Sequence, residues 1–154
     1  MAGLAIFAII TVFTPRIEAG TRPKVSKGQT VYVPAYSHIY IGNKGTPYLL
    51  AVTLSIRNID LSNPIIITEV SYYETQGKFL RDFITAPIEL SSLASTRYII
   101  NQNDKVGGSG ANFIVKWKSM KPSNPPIIEA VMIGTQSQQG ISFTSRGETI
   151  IEAD

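Results

Sequence analysis

The stretch GGSGANFIVKW, residues 107–117, carries the choice of fold. Glycines and one serine crowd residues 107–110, a composition that can also wrap a phosphate. A nucleotide-binding loop of that kind follows a strand, opens a helix and ends in Lys-Ser or Lys-Thr. Here the glycines lead into Ala111, Phe113, Val115 and Trp117, alternating with Asn112, Ile114, Lys116 and Lys118. A period of two is a strand with one buried face, not a helix. With no helix N-terminus there is no dipole to meet a phosphate. Residues 107–111 therefore read as a loop or bulge entering a central strand, and Trp117 as a core side chain between sheets.

The same period governs Leu50, Val52, Leu54 and Ile56, with Thr53, Ser55 and Arg57 between them. Residues 58–64, NIDLSNP, are a turn cluster. The β-branched and aromatic run 65–73 follows, and ETQGK, residues 74–78, reads as a hairpin turn in which Gly77 can take positive φ. Further short strands are expected at 30–33, 79–84, 96–100 and 127–133. No helical period occurs after residue 20, and Pro64, Pro87, Pro122, Pro125 and Pro126 mark boundaries. The pattern predicts one all-β domain, an antiparallel immunoglobulin-like β-sandwich of about seven strands. A closed barrel is the alternative.

Composition narrows the chemistry. With 44% hydrophobic and 16% charged residues the chain is globular, and 154 residues can bury a core. The net charge of +3 is small and its lysines and arginines are scattered, so no nucleic-acid partner is expected. The absence of cysteine excludes disulfides, thiol catalysis, iron–sulfur clusters and a lipid-modified cysteine. One histidine, His38, is too few for a zinc site, and neither a metal nor another cofactor is expected.

Residues 2–13 are apolar apart from Gly3 and Thr11, and Pro15 ends the run. That is too short to span a bilayer comfortably but suits a signal-peptide core, with Ile17-Glu18-Ala19 as a small-residue cleavage site. No Lys or Arg precedes the run, which departs from the signal pattern. Residues 1–19 are thus expected to be a signal peptide or an N-terminal apolar helix, with 20–154 as the domain. Export to the periplasm or exterior follows, with no membrane span left after processing. Arg22, Lys24 and Lys27 read as a solvated tether.

Four segments together resemble a bacterial family known as domain of unknown function 3124: VYVPAYSHIY (31–40), LSIRN (54–58), GGSGANFIVKW (107–117) and PPIIEAVMIGTQSQQGISFTSRG (125–147). The resemblance covers about residues 28–150 and is most specific over 127–147. It implies an exported or envelope-associated β domain and lends no catalytic residues. Some family members look like lipoproteins; this chain has no cysteine to acylate.

Two stretches are candidate binding surfaces. If VYVPAYSHIY stays extended, Tyr32, Tyr36, His38 and Tyr40 share one face. Such a row can stack on a sugar ring or take a protein partner; alternatively Pro34 kinks an edge strand and the tyrosines cover the rim. Residues 134–147, GTQSQQGISFTSRG, read as a long polar loop. There Gln136, Ser137, Gln138 and Gln139 offer donors and acceptors, and Arg146 a fork for an anion.

Catalysis has weaker support. A triad would need His38 with Ser109 and Asp104, yet Gly107-Gly-Ser-Gly-Ala111 fails the G-x-S-x-G pattern at its last position. Glu69, Glu74, Asp82 and Glu129 are candidates for a paired-carboxylate glycosidase. Asp60 with Asn63, or Asn101, Asn103 and Asp104, offer oxygens for calcium. The sequence thus favours a non-catalytic binding or assembly module of the bacterial cell envelope, taking an unknown protein or envelope polymer. The alternative is a small hydrolase using a carboxylate pair or His38.

Overall fold

The computed structural model describes residues 24–136 and 138–153. The apolar segment 1–19 and Ser137 lie outside the described residues. Twelve strands follow in order: β1 (Ser26–Pro34), β2 (His38–Ile41), β3 (Thr46–Leu49), β4 (Ala51–Arg57), β5 (Ile65–Tyr73), β6 (Phe79–Asp82), β7 (Ile88–Leu90), β8 (Ser95–Ile100), β9 (Asn112–Ser123), β10 (Ile127–Gln136), β11 (Gln139–Arg146) and β12 (Glu148–Glu152). Every pairing is antiparallel. A six-stranded sheet runs β12-β1-β9-β5-β6, with β7 also on β5. A four-stranded sheet runs β11-β10-β4-β8, and β2-β3 form a separate hairpin. Neither large sheet closes into a barrel.

The expectation of about seven strands is too low. All seven of those are present; β2, β3, β7, β11 and β12 are additional. The run 31–40 divides because β1 ends at Pro34 and Ala35–Ser37 turns away, so the residues beyond form their own hairpin. The predicted polar loop at 134–147 is instead the end of β10, a tight turn and β11. Its polar side chains obscure a strand period: Ile141, Phe143 and Ser145 are half-buried while Ser142, Thr144 and Arg146 are exposed.

Both large sheets contribute to one hydrophobic core. Val31 and Val33 of β1, Phe113, Val115 and Trp117 of β9, and Val70 and Tyr72 of β5 come from one sheet. Leu54 and Ile56 of β4, Ile100 of β8, and Ala130 and Met132 of β10 come from the other. The alternation read from the sequence supplies these rows, and each large apolar side chain removed from water contributes about 1.5–3 kcal/mol. In β5 the alternation changes phase. Ile65 and Ile67 are buried, then Val70 and Tyr72, because the register with β9 shifts between Ile67 and Glu69. A bulge adds one residue and returns the side chains beyond it to the core. Trp117 is 2% exposed, as the sequence implied, and its indole Nε1 donates to Gln29 Oε1 at 3.3 Å.

The strands run between two ends. One carries the β2–β3 hairpin, the 74–78 turn, the 101–111 loop and the β10–β11 turn. The other carries residues 58–64, 91–94 and 124–126, with residues 24–26 and 153 beside them.

Candidate functional site

The first end is built around the buried ring of Tyr72. Its hydroxyl lies 3.1 Å from Ser37 Oγ and packs against Gly107, where a Cβ would collide with it. Arg81 places its guanidinium over the rings of Tyr72 (5.6 Å) and Phe83 (5.2 Å) and donates to Asp104 Oδ2 at 2.9 Å. Burial pushes the Tyr72 phenol above its ordinary range; the Ser37 hydrogen bond opposes this.

This frame fixes the glycine loop by its carbonyls. Gly107 O accepts from Thr75 N and from Thr75 Oγ1, both at 3.0 Å, and Gly108 O accepts from Ser37 N at 3.0 Å. The amide of Gly110 donates to Thr75 Oγ1 at 3.1 Å and that of Gly108 to Lys105 O at 3.2 Å. The loop uses two carbonyls and two amides to hold strands together, so it acts as a joint. Gly108 adopts φ +82°, a conformation that favours glycine.

Two clefts flank the β2–β3 hairpin. One of about 250 Å³ is lined by His38 and Tyr40, by Glu74, Thr75 and Gln76, and by residues 106–109. His38 and Tyr40 meet edge to face at 5.2 Å, with Nε2 and the phenol oxygen 3.3 Å apart. Tyr40 is 59% exposed, so its ring is available to a ligand. The other cleft, about 420 Å³, is lined by Pro47, Leu49, Gln102, Lys105, Thr135 and Gln136. Tyr48, buried, donates to Gly134 O (3.2 Å) and Gln139 O (2.8 Å), tying the hairpin to the β10–β11 turn. Gly134 permits this approach: a Cβ there would lie 2.5 Å from Leu49 O.

The predicted residues divide. His38 and Tyr40 share a cleft with the glycine loop. Tyr36 does not join them; it packs edge-on against Phe143 of β11 at 5.7 Å, because the strand ends before it. Gln136, Gln138 and Gln139 stand at the β10–β11 turn, where Gln138 has φ +67°. Arg146 lies at the far end of β11, opposite Glu129. Seven residues along a strand put it about 24 Å from Gln139, so Arg146 and the glutamines are not one site. Lys105, Gln102 and Thr75 were not singled out from the sequence, and Glu74 was named there only as a candidate glycosidase carboxylate. Only their convergence marks them, and neighbours along the chain give no sign of it.

The catalytic candidates fare differently. Ser109 and His38 line the same cleft, but Asp104 is committed to Arg81 and to the amide of Val106. Ser71 Oγ lies 2.6 Å from Asp82 Oδ1 and 3.1 Å from Glu69 Oε1, which brings two of the candidate carboxylates together. They stand on the solvent face of the sheet, with Lys116 Nζ 2.7 Å from Glu69, and neither lines either of the two clefts. Both carboxylate oxygens of Asp60 are engaged within the loop, accepting from the amides of Ser62, Asn63 and Asn124. Among the described residues no group of three or more His, Asp or Glu gathers as a metal ion would require. No helix there is long and apolar enough to cross a membrane.

Fold and site define a small antiparallel β domain with two polar clefts beside one hairpin. The chain belongs to the family described as Protein of unknown function (DUF3124), whose model matches residues 28–150. No curated protein matches it. The crystal structure of Thermotoga maritima 1070 is similar over 81% of this chain and 97% of that one, at 13% identity and a TM-score of 0.46. At that level the likeness carries no argument.

Proposed function

We propose that this domain is an exported, non-catalytic binding module of the bacterial cell envelope, sandwich-like and immunoglobulin-like in architecture, and that the clefted end is its binding surface. The sandwich reading is supported by the single core that both sheets share. The binding reading rests on one observation: the exposed Tyr40 ring and the His38 imidazole face a cleft whose loop is already pinned by Thr75 and Ser37. A preformed surface has little ordering entropy left to lose when a ligand arrives. Tyr40 offers a stacking face, Gln136 an amide and Lys105 an ammonium across the neighbouring cleft. That set suits a polyhydroxyl or amide-bearing envelope polymer, or an extended protein segment.

The test is a thermal melt of the chain against soluble glycan fragments, organic anions and peptides. A ligand at a hundred times its Kd adds about 2.7 kcal/mol, and the rise should vanish in Tyr40→Ala with His38→Ala while the unliganded melt stays near wild type. A rise that survives both substitutions would move the binding surface elsewhere. The hydrolase reading is kept by one observation, Ser109 and His38 on one cleft. Ser109-dependent labelling by a fluorophosphonate would favour it over binding.

A further inference from the structure

The end opposite the clefts is held by two buried polar side chains. Asn58, 2% exposed, shares its amide hydrogens among the carbonyls of Asn63 (2.9 Å), Leu90 (3.1 Å) and Ser91 (3.0 Å). Asp60 accepts the amides of residues 62, 63 and 124, and its own carbonyl accepts from Ser92 Oγ at 2.8 Å. Ser119 Oγ donates to Pro64 O at 3.0 Å. Segments 58–64, 91–94 and 119–124 are thus bound into one rigid tip.

That tip displays what folding would bury. Met120 is 86% exposed, Leu61 76% and Leu93 66%. Leu93 also has φ +61°, a left-handed conformation that costs a branched, bulky residue and that glycine adopts freely. Stability alone would choose Gly or Asn there. Lys24, Lys27, Lys118 and Lys121 are exposed around the tip. Against them stand Glu89, exposed, and Asp60 and Glu152, whose oxygens are already hydrogen-bonded.

We propose that this tip seats the domain on an anionic bilayer surface, with Leu61, Leu93 and Met120 entering the headgroup boundary and the lysines meeting lipid phosphates. The clefts then face away from the membrane. The reading is independent of what the clefts bind.

The test uses the full chain and flotation with phosphatidylcholine vesicles, with and without phosphatidylglycerol. Wild type should associate with the anionic vesicles and less so at high salt. The triple variant Leu61→Ser, Leu93→Gly, Met120→Ser should lose about tenfold or more of that association, while melting no lower than wild type. Because the chain has no cysteine, Met120→Cys and Tyr40→Cys each accept one environment-sensitive fluorophore. The probe at 120 should shift to the blue on anionic vesicles and the probe at 40 should not. Equal binding by the triple variant, equal shifts at both probes, or a shift at 40 alone would overturn the proposal, the last two pointing to another face or partner.

Discussion

The two ends of this domain are capped by loops that join the same strands, and they differ in what they bury. The clefted end buries aromatic rings, with Tyr72 set between Phe83 and Phe113 at 6.4 and 4.9 Å, and shows water His38, Gln136 and Lys105. The opposite tip buries an amide and a carboxylate, Asn58 and Asp60, and shows water Leu61, Leu93 and Met120. Burying an amide or a carboxylate is tolerable only because each hydrogen-bonding atom finds a backbone partner. An arrangement chosen for stability alone would put the apolar groups inside at both ends. Both ends depart from that rule, the clefted end at Val106 and Tyr40, which are scattered along its cleft, and the tip at Leu61, Leu93 and Met120.

The comparison holds only if both ends stand on one cooperative core, and Trp117→Ala tests that most severely. It should cost about 3–5 kcal/mol, and probes at the two ends should report one unfolding midpoint. A cost below about 1 kcal/mol, or two separate midpoints, would dissolve the single-core picture.

A second measurement separates the ends by pH. The amide of Asn124, then those of Ser62 and Asn63, hold the Asp60 carboxyl below its ordinary value of 3.8. A carboxylate held low binds fewer protons folded than unfolded, so its contribution is present above about pH 4 and is lost as pH falls further. Wild type should therefore exceed Asp60→Asn in stability at pH 7, with the difference shrinking below pH 4. A difference indifferent to pH would mean that charge is not what those amides bind.

The smallest effect has the opposite sign. Leu93→Gly should stabilise the domain by about 1 kcal/mol by removing left-handed strain, despite deleting a leucine. A loss of stability would show that Leu93 packs on its neighbours and that the tip is less exposed than its backbone implies.

The strands that carry the core were legible because Leu50, Val52, Leu54 and Ile56, or Phe113, Val115 and Trp117, alternate without interruption. What was hidden has particular causes. Ser37 is fully buried because it meets the Tyr72 hydroxyl, and that long-range contact is where the aromatic run breaks. β11 was concealed because its outward residues are Ser142, Thr144 and Arg146, a composition that also makes loops. β12 pairs with β1 along one edge and shows no buried residue, so it gives no period to read. Half of the candidate cleft was visible as His38 and Tyr40. Its other walls come from residues 74–76 and 106–109, and nothing local announces a meeting between such distant segments.

The pairing of β1 fixes when the molecule can be finished. β1 lies between β9 and β12, with Gln29 opposite both Trp117 and Glu152. Its carboxamide donates to Glu152 Oε1 at 2.8 Å and accepts from the Trp117 indole. A chain emerging N-terminus first, from a ribosome or through a membrane pore, therefore holds β1 without a partner until β9 appears, and with one edge open until β12 does. Contacts of such long span form slowly. The edge of β1 is covered only when β12 has passed, so the six-stranded sheet is completed last at its first strand.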